Sequence, residues 1–170
     1  MLKRILLSII ISSVALFLPS SANAQGKAKF VGAKACMVCH RGASKGMVAD
    51  IWEKSPHAQA YKTLESPEAD KIAKAKGLKT AAKESPECLK CHVVGDMKDG
   101  VTCEACHGAG SEYKSMTIMK DKQKALAAGL IIPTNDPKVC QKCHNPESPT
   151  YKKFDYQTFW TKIKHPISKG

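Results

Sequence analysis

Apolar and polar residues are intermixed in short blocks along most of this chain, and only one block, Ile5 to Leu18, is long and predominantly apolar. It is preceded by Lys3 and Arg4 and followed by Ala22-Asn23-Ala24. A positive start, an apolar centre and a small-residue cleavage site are the three parts of an export signal. The apolar run is shorter than the roughly 20 residues a spanning helix needs, so the expectation is a signal peptide over residues 1–24. No membrane anchor is then expected in the mature chain, residues 25–170.

Beyond the leader, the blocks are set off by frequent helix punctuation. A helix from about Ser44 is broken and restarted at Ser55-Pro56. Ser66-Pro67 opens the run "EADKIAKAK", which Gly77 closes, following the preference for proline at a helix start and glycine just past its end. Ser85-Pro86 and Asp136-Pro137 each precede a cysteine pair and predict short helices carrying those cysteines. Ser111 to Ala128, closed by Gly129, predicts a longer helix, and Asp155 caps a last one, "YQTFWTKIK", ended by Pro166. Strand signals are nearly absent. The expected class is mostly α with irregular loops, in one domain.

Charge narrows the partners. The 170 residues carry 27 Lys and Arg against 15 Asp and Glu, a formal net charge of +12. Losing the leader removes Lys3 and Arg4 and no acid, so the remainder stays strongly basic, with Arg41 its one arginine. Nucleic-acid binding calls for arginine forks and aromatic stacking on a basic face, and aromatic residues make up only 6% of the chain. The lysines read instead as counter-charges for an acidic cofactor and as docking contacts for an acidic partner protein.

All eight cysteines fall in four copies of one pentapeptide. These are Cys36-Met-Val-Cys39-His40, Cys88-Leu-Lys-Cys91-His92, Cys103-Glu-Ala-Cys106-His107 and Cys140-Gln-Lys-Cys143-His144. Zinc ribbons or a disulfide scaffold would also use paired cysteines. Neither needs a histidine after every second cysteine, whereas Cys-x-x-Cys-His is the attachment sequence of c-type haem. Two thiols about one helical turn apart add across the two vinyl groups of one porphyrin, and the adjacent histidine reaches the iron. The expectation is four covalent haems c with His40, His92, His107 and His144 as proximal ligands. Each haem then has only about 35 residues to wrap it, so packed macrocycles must form most of the core. Their propionates would cancel most of the positive charge.

Six histidines leave two outside the motifs, His57 and His165, so four irons cannot all be bis-histidine from this chain. Both are candidate distal ligands. Methionine also ligates haem iron and raises its potential. Met116 and Met119 share one face at a spacing that more often marks core than cofactor contact. Met97 follows His92 too closely to cross to the far face of that haem, which leaves the second haem as the leading candidate for an open position. Asp96, Asp99 and Glu104 lie near it in sequence and read equally well as solvated surface.

The order "FVGAKACMVCH … W..SPHAQAY … CLKCHVVG … GVTCEACHGAGSEY … CQKCH", spanning roughly Phe30 to His165, resembles the tetrahaem cytochrome c-554 family. The resemblance implies His57 as distal ligand of the His107 haem and His165 as distal ligand of the His144 haem. It implies a five-coordinate haem at His92. The family has a further histidine after "CHGxG" that ligates the first haem, and here that region reads "SEYKSMTIMKD". Met116 or Met119 is therefore expected opposite His40. The chain is also shorter than the family type after the fourth motif.

With the export signal, the expected protein is a monomeric periplasmic or extracellular electron carrier working between redox proteins. Alternatives are an enzyme acting on a small nitrogen oxide such as nitric oxide at the open haem, without a confident catalytic residue beyond His92, and a module of an extracellular haem wire.

Overall fold

The computed structural model describes residues 28–95, 97–134 and 136–166. The leader expected over residues 1–24 lies outside the described residues, as does Asp96. Among the described residues the chain is a succession of short α-helices and 3-10 turns without strands, the longest helix being Pro67–Ala75 at 9 residues. No helix among them is long and apolar enough to cross a membrane. The mostly α class read from punctuation is what the structure has.

Local chemistry sets these helices as the sequence suggests. The Ser66 hydroxyl accepts from the Ala69 N–H at 3.2 Å, with Pro67 in the first turn, and Gly77 beyond the end has φ 74°. Asp155 accepts from the Thr158 N–H at 2.7 Å and starts helix Tyr156–Ile163. Asp136 accepts from the Lys138 N–H at 2.9 Å ahead of helix Lys138–Gln141. The break at Ser55-Pro56 is present between helix Val48–Glu53 and the turn Pro56–Gln59.

Two expectations fail. The helix expected from about Ser44 is a 3-10 turn, Ala43–Lys45, followed by helix Val48–Glu53, because Gly46 and Met47 between them are left-handed at φ 75° and 54°. The long helix over Ser111 to Ala128 is two short ones, Met116–Met119 and Lys122–Ala127. Asp121 is the reason. Its backbone is extended at φ −113° and ψ 106°, and its carboxylate accepts from the N–H groups of Gln123 and Lys124, so it caps a new helix instead of continuing the old one.

The interior built by side chains is thin. The buried apolar residues among those described are Ala33, Ala49, Ala73, Ala82 and Ala125 with Leu64 and Tyr113. One cluster of Leu64, Ala73 and Ala82 packs with Leu78, Cys88 and Leu89 under the second motif. Alanine removes little area from water, whereas a buried leucine or phenylalanine gains about 1.5–3 kcal/mol. Ordering the backbone costs about 1–2 kcal/mol per residue, so an alanine core leaves the folded chain short of apolar burial. Meanwhile Val38 is 83% exposed and Phe30 56%.

A chain with its eight motif cysteines replaced by serine is therefore expected to lack a cooperative thermal transition in far-ultraviolet circular dichroism. A sharp transition in that variant would show that the side-chain core suffices.

Candidate haem sites

Each motif is delivered by a short helix or turn. The first lies on helix Ala33–His40, the second on Pro86–His92, the third on Glu104–His107, and the fourth runs through Lys138–Gln141 into a turn. In that turn the Asn145 side-chain amide donates to the carbonyls of Gln141 and Lys142 at 2.9 and 3.1 Å, fixing the exit of the motif just after His144.

The first and third motifs are joined by a buried carboxylate. Glu104, 2% exposed, occupies the first variable position of the third motif. It accepts from the N–H groups of Val31 at 3.0 and 3.1 Å, Gly32 at 2.9 Å and Gly110 at 2.7 Å. Asp99 adds a bond from the Ala33 N–H at 3.1 Å. Two carboxylates thus hold the start of the first-motif helix, where amide donors have no partner within the helix. Glu104 is therefore buried structure and not solvated surface.

The segment carrying His57 docks on the approach to the third motif. The Trp52 indole N–H donates to Val101 O at 2.9 Å, and the Val101 N–H donates to His57 O at 3.1 Å. Gly100 makes this approach possible. It has φ +70°, and a Cβ there would sit 2.9 Å from His57 O.

Two motif histidines have their tautomer set by main-chain carbonyls. Nδ1 of His92 lies 2.8 Å from Ala60 O, and Nδ1 of His107 lies 2.8 Å from Ile131 O. A carbonyl only accepts, so Nδ1 carries the proton and Nε2 keeps its lone pair for a metal. The Ile131 N–H returns a bond to His107 O at 2.9 Å. Four rings are also disposed to stay neutral. Burial pushes His40, His57 and His107 below the ordinary histidine value, and partial removal from water does the same for His144. Neighbouring imidazoles add to this, His144 acting on His57 and His165 on both His40 and His107, while the Ile131 carbonyl works the other way on His107. Neutral imidazole is the ligating form.

All eight cysteines are free thiols, and they meet across motifs. The Cys36 and Cys103 thiols hydrogen-bond one another, which with burial pushes Cys36 far up and pulls Cys103 down. Cys143 is pushed up to about 11 by burial and by its neighbour Cys91. Attachment points of the first motif thus lie beside those of the third, and of the second beside the fourth. Among the described residues no group of three or more His, Cys, Asp and Glu side chains is gathered to hold a single metal ion.

The distal candidates fall as follows. The His57 ring is 5.9 Å, centre to centre, from His144, and the His165 ring is 5.9 Å from His107. The resemblance implied the other assignment, His57 with His107 and His165 with His144. Met116 is exposed and Met119 half-buried on a helix packed against Lys122–Ala127. A cavity of about 480 Å³ opens at the second motif, lined by Cys88, Cys91 and His92.

Paired thiols, imidazoles with a free Nε2 and an interior short of side chains fit covalent haem, which the pairs Cys36 and Cys39, Cys88 and Cys91, Cys103 and Cys106, and Cys140 and Cys143 would hold. These features define a c-type cytochrome. Residues 35–108, which include the first three motifs, match the family described as cytochrome c554 and c-prime. Cytochrome c-554 of Nitrosomonas europaea is 31% identical over 128 residues, covering 65% of this chain and 52% of that protein. The chain is similar to the cytochrome c-554 family, and covalently bound haem c is the cofactor that this likeness implies. It spans about half the length of the curated relative it matches. No solved structure matches it.

Sequence reasoning missed Glu104 as a clamp, although a glutamate inside a haem motif followed by "HGAG" was the available signal. The carbonyls of Ala60 and Ile131 left no signal, because every residue carries one.

Replacing Glu104 by alanine leaves three amides, those of Gly32 and Gly110 buried and that of Val31 part-buried, without this acceptor, at about 1–3 kcal/mol for each buried one. Glu104→Ala is expected to lower the stability of the haem-loaded protein by at least about 2 kcal/mol in denaturant titration, and Glu104→Gln by less. Equal stability of Glu104→Ala and the parent would remove the clamp.

Proposed function

We propose that this protein is an exported electron carrier: a tetrahaem c-type cytochrome, residues 25–170 forming one haem-binding domain, that passes electrons between redox proteins. The observation that carries this reading is the use of every cysteine in four Cys-x-x-Cys-His motifs whose thiols stand next to one another. Haem iron, when bound, supplies one-electron redox chemistry at a potential tuned by its axial ligands. The chain's own part is to hold the attachment points side by side, to present neutral imidazoles at fixed tautomer and to keep water from the rings. Short separations between attachment points favour haems in near contact. Met116 or Met119 is the proposed second ligand for the His40 haem, which would raise its potential above that of bis-histidine sites.

The leader over residues 1–24 assigns the protein to the periplasm, where Cys-x-x-Cys-His chains are loaded with haem. The excess of lysine over acid favours partners with acidic docking surfaces, and a monomer is the simplest state.

A second reading is favoured by one observation. The described residues lining the cavity at the second motif include no methionine and no histidine besides His92. An iron held there by His92 would keep a position open for a small ligand such as nitric oxide.

The test combines a haem count with ligand binding. Pyridine haemochrome and intact mass are expected to give four haems per chain, and the reduced protein is expected to exchange electrons rapidly with a small redox protein. Fewer than four haems, or no exchange, would defeat the carrier reading. Binding of one carbon monoxide per reduced chain is expected at the second haem. Loss of that binding in a variant lacking Cys88 and Cys91, with the other three haems retained, would locate it there. No binding in the parent would leave the second reading without support.

A further inference from the structure

We propose that the segment 151–166 is the face on which an acidic redox protein docks, with the stacked rings of Phe154 and Phe159 leading from that face to His144. This rests on the electron-carrier reading above and names the surface and the charge of the partner.

A stack of rings starts at the fourth motif and ends at the surface. The His144 imidazole stacks on Phe154 with centres 4.9 Å apart and planes at 16°. Phe154 stacks in turn on Phe159 at 5.2 Å and 19°. Phe159 is 40% exposed, and the Lys162 ammonium lies 5.1 Å from its ring centre. Helix Tyr156–Ile163 sets this up, because residues three apart share a helix face. Tyr156 and Trp160 form a second stacked pair, and the Tyr156 hydroxyl donates to Pro133 O at 3.4 Å, which anchors the helix to the rest of the chain.

Charge gives the kind of partner. Lys152, Lys153, Lys162 and Lys164 are all exposed, and the segment holds one acid, Asp155. The Asp155 carboxylate is engaged as a helix cap on the Thr158 N–H at 2.7 Å. None of the four lysines forms an ion pair among the described residues. Tyr151, 39% exposed, adds a second aromatic to the same surface. Exposed aromatics with charge around them have the composition of an interface, apolar at the centre and polar at the rim. Unpaired ammonium groups attract carboxylates and repel a second copy of this basic chain. Redox encounters are small and transient, so one helix and its lead-in offer enough surface. One electron passes from the reduced partner to ferric iron at the fourth motif, with no bond made or broken. The chain's part is to bring the partner against packed rings that continue to His144, with no water between.

The experiment mixes the full-length haem-loaded protein with reduced flavodoxin, a small acidic flavin protein, and follows haem reduction by stopped flow. In parallel the two are coupled with a water-soluble carbodiimide, which joins lysine amines to carboxylates in contact. Adducts are expected at Lys152, Lys153, Lys162 or Lys164. Lys153→Glu with Lys162→Glu is expected to lose those adducts and to be reduced at least about tenfold more slowly at low ionic strength, the difference closing as salt is added. Lys71→Glu with Lys74→Glu, the same charge change on the exposed side of helix Pro67–Ala75, is expected to change the rate far less. Phe159→Ala is expected to slow reduction at every ionic strength and Phe159→Tyr to restore it, while reduction by free reduced riboflavin stays as in the parent. If Phe159→Ala does not load haem, the lysine pairs and the adduct map decide. Adducts confined to other lysines would overturn the proposal, as would equal slowing in the two lysine pairs. Unchanged rates in Lys153→Glu with Lys162→Glu, together with lost binding to phosphatidylglycerol vesicles, would make the face a membrane contact and overturn it too. A parent that neither flavodoxin nor riboflavin reduces would strike the carrier reading itself, while the adduct map would still locate the docking face.

Discussion

The rest of this structure depends on a shortage of apolar side-chain volume. The buried interior among the described residues is mostly alanine, and the helices are too short to stand alone, since isolated helices under about 12–15 residues are marginal in water. Helices of this length persist only where tertiary contact holds them. A covalently attached cofactor supplies that contact, because each thioether pair fixes a helix to an apolar plane. The lysine excess fits the same picture, since propionate groups bring negative charge into a basic chain.

Where side-chain packing is thin, hydrogen bonds to the main chain set positions. Glu104 and Asp99 gather the amides of Val31, Gly32, Ala33 and Gly110, and thereby fix the first-motif helix against the third. Ala60 and Ile131 offer carbonyls that orient His92 and His107. Tyr113 closes the third-motif loop by donating its hydroxyl to Gly108 O at 2.7 Å. Gly100 and Gly108 matter for the opposite reason. A side chain on either would press on a carbonyl at 2.9 Å, that of His57 or that of Gly129. Close main-chain approach and carbonyl-oriented imidazoles are two parts of one arrangement, in which the backbone acts as the inner shell of the sites.

Much of the local structure was legible because its signals are short-range. Ser66-Pro67 with Gly77, Asp136 and Asp155 cap helices through bonds spanning two or three residues, and such bonds are written in adjacent letters. The region from Ser111 to Ala128 misled for a related reason. Asp121 was available as a cap, yet a helical composition on both sides concealed that its carboxylate would bond forward and restart the helix. Glu104 read equally well as solvated surface because a charged residue is usually solvated, and only three converging amides make its burial tolerable.

The sequence by itself determined the chemistry: eight thiols in four Cys-x-x-Cys-His motifs, two spare imidazoles, a basic chain of short capped helices, and a family likeness resting on "GVTCEACHGAG" and the Trp52 to His57 segment. Those properties belong to residues a few positions apart, and covalent spacing fixes them. Which motif lies beside which, and which motif histidine each spare histidine faces, only the tertiary structure decided. Cys36 meets Cys103, Cys91 meets Cys143, and His57 stands beside His144 although its backbone is bonded to Val101, ahead of the third motif. These neighbours are brought together by loops, clamps and close glycine contacts between distant parts of the chain, and such contacts leave no periodic trace in the order of residues.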